Sequence, residues 1–101
     1  MNYRVTDNPD ETRVQLFESL SLKDHQEFRR LVEEVMKAKS RQVAVDLTDL
    51  KTVDSAGLGL LVVLNQQLTK AGRKVKLRHP GEAVARLLSI VQFHKVCTIE
   101  P

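Results

Sequence analysis

Residues 42–64 decide the fold of this chain, and they read QVAVDLTDLKTVDSAGLGLLVVL. The run from Gln42 to Leu47 is short and apolar, which is typical of a strand that is covered on both faces. The polar stretch from Thr48 to Thr52 predicts a loop. The run from Leu58 to Leu68 predicts a helix that is apolar nearly all round at its start and therefore well buried. A strand, a loop and a helix in this order predict one crossover unit of an α/β fold.

The segments before this unit predict a hairpin and a first helix. Tyr3–Thr6 and Arg13–Phe17 are candidate strands on either side of the polar turn Asp7–Asp10. Ser21 is a candidate helix N-cap, with Asp24 three residues later in the place of a capping-box acid. One apolar stripe at helical spacing follows, formed by Leu22, Phe28, Leu31, Val32 and Val35.

The segments after this unit predict two further strands and a third helix. Lys74–Arg78 alternates strictly between polar and apolar residues, as a strand with one solvated face does. Apolar residues between Ala83 and Val91 mark an amphipathic helix, and Lys95–Ile99 is a candidate edge strand. We therefore expect residues 1–101 to form a single α/β domain, with a mixed sheet of about four or five strands and helices mainly on one face.

Composition limits the classes of protein to which the chain can belong. Its 101 residues suit one domain, and Cys97 is its only cysteine, as expected in a reducing compartment. The first residues lack the apolar core of a signal peptide, and the longest apolar run is too short to span a membrane. These features favour a cytoplasmic protein without membrane insertion.

Positive charge is concentrated in the second half of the chain. Residues 56–101 hold seven Lys or Arg against two Asp or Glu, whereas residues 1–55 hold nine against eleven. A reader of single-stranded nucleic acid usually adds aromatic stacking platforms, and this basic region has none. We interpret the cluster as the solvated face of a strand whose lysines oppose edge-to-edge pairing, and we expect no nucleic-acid partner; it comprises Lys70, Arg73, Lys74, Lys76 and Arg78.

Enzyme and metal chemistry are not favoured by the motifs. A nucleophile elbow requires Gly-x-Ser-x-Gly, but Val53 stands at the first glycine position, and no Asp follows Ser55. The candidate metal ligands His25, His79, His94 and Cys97 are scattered, and no Gly-x-x-x-x-Gly-Lys phosphate loop exists. We therefore predict no catalytic residue, no metal site and no cofactor.

The junction around Ser55 combines a helix start with two glycines. Asp54 or Ser55 can cap the first backbone N–H groups of the helix, while Gly57 and Gly59 allow another backbone or a partner to approach closely. A helix N-terminus also tolerates a phosphate, which would add about two negative charges beside Asp54. A serine at such a junction is more often a cap than a regulated site, so the residues alone leave both roles open.

The segment Asp46–Gly59 resembles the signature of STAS domains of the bacterial anti-sigma-factor antagonist type, and the element order resembles that family over the whole chain. The resemblance implies that Ser55 is phosphorylated by a partner that is both an anti-sigma factor and a serine protein kinase. It implies that the unphosphorylated form captures this partner, and that a PP2C-type phosphatase resets the switch. We predict that the partner binds a surface formed by Asp54, Ser55, Ala56, Gly57, Leu58 and Gly59.

Two points qualify this resemblance. The family commonly has a Gly-x-x-Asp-like turn before its first helix, whereas Phe17–Ser21 has neither the glycine nor the acid in the expected place, which affects the partner's identity more than the fold. STAS domains also serve as accessory subunits of lipid ABC transporters, where they bind the ATPase subunit. That alternative predicts that Ser55→Ala is fully tolerated.

Overall fold

The computed structural model contains six strands and three α-helices, and it describes all residues from 1 to 101. Short 3-10 helices lie at Leu22–Asp24 and Phe93–Lys95. The elements are β1 Asn2–Asp7, β2 Thr12–Leu20, α1 His25–Lys37, β3 Gln42–Asp46, β4 Leu50–Val53, α2 Ser55–Lys70, β5 Lys74–Arg78, α3 Glu82–Ile90 and β6 Thr98–Glu100.

The strands form one mixed sheet, as predicted. Its order is β1-β2-β3-β5-β6, with β1 antiparallel to β2 and the other pairs parallel. The predicted hairpin is present, and the predicted last strand is present as the edge strand β6. The long strand β2 pairs with β3 through its first half and with β4 through its end, and its register shifts between Glu18 and Ser19.

The two faces of the sheet differ in polarity. One face is apolar and joins the buried stripes of the three helices in a single core, so the helices cover one side of the sheet as expected. The other face carries no helix and presents polar side chains. Its strands place one cross-strand row in register: Arg4, Gln15, Asp46, Arg78 and Glu100. We call this surface the open sheet face.

Three local predictions from the sequence were wrong. Residues 50–53 are the strand β4 rather than part of a loop, because Leu50 is buried and pairs with the end of β2. Leu22 does not belong to the buried stripe of α1; it lies on the preceding 3-10 helix and is 67% exposed. The strand β5 lies between β3 and β6, so its lysines do not protect an edge.

The basic cluster is only partly a surface feature. Arg73 points inward and is 7% exposed. Its guanidinium donates hydrogen bonds to the carbonyl oxygens of Val35 (2.5 Å) and Ser40 (2.6 Å). Because Val35 lies in the last turn of α1, Arg73 supplies the donor that this helix end needs and ties it to the start of β5. None of the helices combines the length and apolarity needed to cross a membrane.

Candidate functional site at the start of α2

Ser55 is the first residue of α2, and two neighbouring strands bring it beside α1. Leu20, the last residue of β2, pairs with Val53, the last residue of β4. Both strands run in the same direction, so the chain leaves them at the same edge of the sheet to start α1 and α2. The amino-terminal ends of these two helices therefore lie next to each other, with Ser55 between them and solvent.

Asp54 caps α2. Its backbone is extended (φ −101°, ψ −178°), and its Oδ1 accepts a hydrogen bond of 2.7 Å from the Gly57 N–H. The first intrahelical bond runs from the Leu58 N–H to the Asp54 carbonyl oxygen, at 2.9 Å. Of the two candidate caps, the structure selects Asp54. This leaves the exposed Ser55 hydroxyl without a capping role.

Gly57 allows the first turn of α2 to rest directly on β2. A Cβ at this position would lie 2.3 Å from the carbonyl oxygen and 2.9 Å from the carbonyl carbon of Leu20. These are backbone atoms, so no side-chain rotation would relieve the contact. The close approach made possible by Gly57 is thus within the chain, and it fixes the position of Ser55 relative to the sheet.

Gly59 faces the opposite way. A Cβ there would meet no atom within 4 Å, and the residue is exposed. Of the other residues predicted to bind a partner, Asp54 and Ser55 are exposed, Ala56 is half-buried, and Leu58 is 9% exposed and packs in the core. The predicted set therefore divides into an accessible group and two buried residues, Gly57 and Leu58, that position the accessible group.

A groove of about 700 Å³ runs beside Ser55 between α1 and α2. We call it the α1–α2 groove. Its floor includes Phe28 and Val32, and the side chain of Val63 is 42% exposed at its wall. The other lining residues are Ala56, Gly59, Leu60 and Gln67 of α2, and His25, Arg29 and Glu33 of α1.

The family model described as Mlab, STAS domain, matches residues 3–100. The chain belongs to the STAS domain family. No curated protein sequence shows significant similarity to it.

Solved structures share the fold of this STAS domain at low sequence identity. TM1081 from Thermotoga maritima is 20% identical with a TM-score of 0.86, over 98% of this chain and 86% of that one. An anti-sigma factor antagonist from Mycobacterium paratuberculosis is 17% identical with a TM-score of 0.85, over 99% and 85%. The antagonist SpoIIAA in its unphosphorylated form is 14% identical with a TM-score of 0.78, over 97% and 87%. These likenesses confirm the STAS fold.

The unusual turn before α1 has a structural explanation. Glu18 has φ 68°, a left-handed conformation that glycine adopts more easily than any other residue, and it lies where β2 shifts register. Ser21 precedes the 3-10 helix, and its N–H donates to Asp24 Oδ2 at 2.8 Å, as the predicted capping box requires. The turn of this STAS domain is therefore built with different residues, and the predicted capping box caps the 3-10 helix before α1 rather than α1 itself.

Sequence reasoning missed the contribution of α1 to the site. His25 was named only among the scattered candidate metal ligands, and Arg29 was not singled out, yet both line the groove beside Ala56 and Gly59. One signal was available: α2 carries no charged residue before Lys70, although part of it faces solvent. The prediction that the start of this helix is well buried was wrong for Gly59 and Val63.

Proposed function

We propose that this STAS domain is an anti-sigma-factor antagonist, a binding module that regulates transcription and catalyses no reaction. It captures an anti-sigma factor that is also a serine protein kinase while Ser55 carries a free hydroxyl. The kinase brings the ATP and phosphorylates Ser55, the complex dissociates, and a PP2C-type phosphatase restores the hydroxyl. We expect this cycle to take place in the cytoplasm.

The observation that carries the proposal is the state of Ser55 itself. It is exposed at the first position of α2, and the neighbouring Asp54 rather than Ser55 supplies the cap. A phosphate on Ser55 would therefore leave the hydrogen bond between Asp54 and Gly57 in place. The N–H groups at the start of the helix and the helix dipole tolerate an anion there. Phosphorylation can thus change the surface without unfolding the domain.

A phosphate on Ser55 can supply the difference in binding free energy that such a switch requires. Moving a partner from mostly bound to mostly free requires a difference of about 5 kcal/mol between the two forms. A phosphate adds about two negative charges, and burying it unpaired against a partner can cost several kcal/mol. Unlike charges already present on the free surface, this one would appear only after modification.

Similar folds support the antagonist class over the transporter alternative. SpoIIAA, an anti-sigma factor antagonist, has been solved in both an unphosphorylated and a phosphorylated form, and both share the fold of this chain. The Mycobacterium paratuberculosis structure is described as belonging to the same functional class. The transporter-subunit alternative is not favoured by these structures.

Intact-mass measurement of the protein from its native cells, before and after phosphatase treatment, tests the proposal. We expect a phosphate that maps to Ser55 on fragmentation and that the phosphatase removes. Ser89, which is exposed on α3, provides the matched control, and Ser89→Ala should not change the modified fraction. Equal partner affinity for the unmodified protein, Ser55→Ala and Ser55→Asp would refute the switch.

A further inference from the structure

The outward surface of α2 lacks charge to a degree that is unusual for an exposed helix. Between Ser55 and Lys70 the helix contains no charged residue, whereas 29% of the whole chain is charged. Five residues of α2 face the groove, and their spacing forms a single uncharged stripe: Ala56, Gly59, Leu60, Val63 and Gln67. A surface depleted of charge at its centre is characteristic of a protein interface rather than of a solvated helix.

Polar and charged side chains of α1 form the rim of the α1–α2 groove. His25, Arg29 and Glu33 are spaced four residues apart on α1, so they lie along one line. Because α1 and α2 start at the same edge of the sheet, His25 and Arg29 lie at the Ser55 end and Glu33 lies further along. The groove is therefore apolar at its centre, and its one lining cation, Arg29, lies in the half nearer Ser55.

The length of the groove suits a helix of about three turns. Its lining on α2 extends from Ala56 to Gln67, a distance of about 16 Å or three helical turns. Gly59 lies in the half of the groove that is nearer Ser55. A Cβ at this position would meet no atom within 4 Å, so a partner backbone can approach α2 there. An amphipathic helix in an apolar groove is a recurrent mode of recognition.

We infer that the α1–α2 groove is the docking surface for an amphipathic helix of the partner, whose aliphatic face packs on Gly59 and Val63 and whose carboxylate pairs with Arg29. This inference rests on the proposed function and identifies the contact on which the Ser55 switch acts. A phosphate on Ser55 would lie at the same end of the groove as the partner's carboxylate. It would repel that carboxylate and compete with it for Arg29, so modification and helix docking oppose each other.

Capture from native extract with full-length variants as bait tests this surface, and the fraction of partner retained is quantified by mass spectrometry. Val63→Glu places a charge at the centre of the groove, and Arg29→Glu reverses the charge of its rim. We expect each to reduce capture about tenfold or more, as loss of an interface hot spot does. Matched controls elsewhere on the surface should leave capture unchanged: Ile90→Glu on α3, where the side chain is 71% exposed, and Arg4→Glu on the open sheet face.

A photo-crosslinker at position 63 identifies the occupant. Benzoylphenylalanine at position 63, with position 90 as the control, should crosslink to a segment of the captured protein that is amphipathic, helical and acidic at one end. A crosslink to a second copy of this chain, to a segment of other character, or to nothing would overturn the inference. Each variant is first checked for an unfolding midpoint close to that of the unmodified protein.

The outcomes separate this inference from the proposed function. If Val63→Glu and Arg29→Glu bind as the unmodified protein does while Ser55→Asp does not, the groove inference fails and the switch stands. If both groove variants lose binding while Ser55→Asp retains it, the groove stands and the phosphorylation switch fails. If Val63→Glu, Arg29→Glu and Ser55→Asp all retain the same proteins as the unmodified bait does, both are wrong.

Discussion

The open sheet face and the α1–α2 groove are both exposed to solvent, but they differ in how their charges are satisfied. On the sheet, Arg78 makes a two-pronged contact with Glu11, at 2.7 and 2.9 Å, and its Nε donates to Glu100 at 2.9 Å. Lys76 lies 3.4 Å from Glu100, and Arg13 lies 3.8 Å from the same Glu11. The centre of the groove has no charged side chain. None of the rim residues His25, Arg29 and Glu33 forms an ion pair within the chain.

The two surfaces show two roles that a surface charge can have: pairing within the chain, or contact with a partner. Arg13, Lys76 and Arg78 on the open sheet face are neutralised by acids of the same chain, so they contribute to solubility and local stability and leave little for an anionic partner. Arg29 is free to contact a partner, and the apolar stripe beside it gains from being covered. Lys76 and Arg78 of the basic cluster therefore belong to a surface that is paired within the chain, whereas the charge-free helix α2 forms the surface available for binding.

The largest expected effect is that of Gly57→Ala, which would break the contact that holds the groove in place. The added methyl would lie 2.3 Å from the Leu20 carbonyl oxygen, so α2 must move away from β2. We expect the free energy of unfolding to fall by about 3 kcal/mol and the melting temperature by more than about 10 °C. Urea and thermal unfolding measure both quantities.

Gly59→Ala is the matched control for that prediction, because it adds the same methyl to the same helix where nothing lies within 4 Å. Equal destabilisation by the two substitutions would show that the loss arises from helix chemistry in general and not from contact with β2.

The sequence predicted the sheet, its helical layer and the Ser55 junction because each depends on local periodicity. Strict alternation identified β5, and the apolar run before Asp46 identified β3. It did not predict β4, since residues 48–52 are mostly polar and the strand forms only because the end of β2 needs a partner. Tertiary pairing of this kind leaves little trace in composition.

The inward side of the site was likewise beyond prediction from the sequence. Two glycines in one turn signalled close approach, yet nothing in the sequence shows that Gly57 faces Leu20 while Gly59 faces solvent. The groove requires α1 as well as α2, and no local pattern connects Arg29 with Val63. The sequence located the junction, and the arrangement of the two helices located the surface.

A second substitution compares the two arginines directly. Arg78→Met removes three hydrogen bonds to Glu11 and Glu100 while keeping most of the side chain's apolar length. We expect the free energy of unfolding to fall by about 1–2 kcal/mol, since a bidentate network on a partly buried surface exceeds an isolated pair. Arg29→Met should change stability by less than about 0.5 kcal/mol. Partner capture should respond in the opposite order.

Chemical denaturation of both proteins, together with capture from extract, checks this pair of predictions. A loss of stability in Arg29→Met equal to that in Arg78→Met would mean that the groove rim is also held within the chain, and the contrast between the two surfaces would disappear.

Acid should weaken the ion pairs of the open sheet face. Hydrogen bonds from Arg78 are the largest cause that holds the pKa of Glu11 below its ordinary value of 4.5, and burial opposes them. A carboxyl with a lowered pKa in the folded state stabilises the fold above the unfolded pKa and loses that contribution as the pH falls through the folded value. We expect unfolding free energy to decline below about pH 4.5, and to decline less steeply in Glu11→Gln.

Urea titrations between neutral pH and pH 3 measure this dependence in the two proteins. Parallel pH profiles would show that the contact between Glu11 and Arg78 contributes nothing to stability, and the open sheet face would then lack the internal pairing that distinguishes it from the groove.

The smallest expected effect, and the most direct test of what the groove surface is for, is that of Gly59→Ala. Alanine is favoured over glycine inside a helix by about 0.5–1 kcal/mol, and its methyl meets no atom within 4 Å in this chain. We therefore expect a gain in stability of that size, measured as a higher melting temperature. If a partner backbone approaches α2 at this position, the same methyl should reduce capture even though the domain has become more stable. A variant that gains stability and keeps full capture would show that no partner backbone occupies the space beside Gly59. The partner helix would then lie further along the groove, toward Val63.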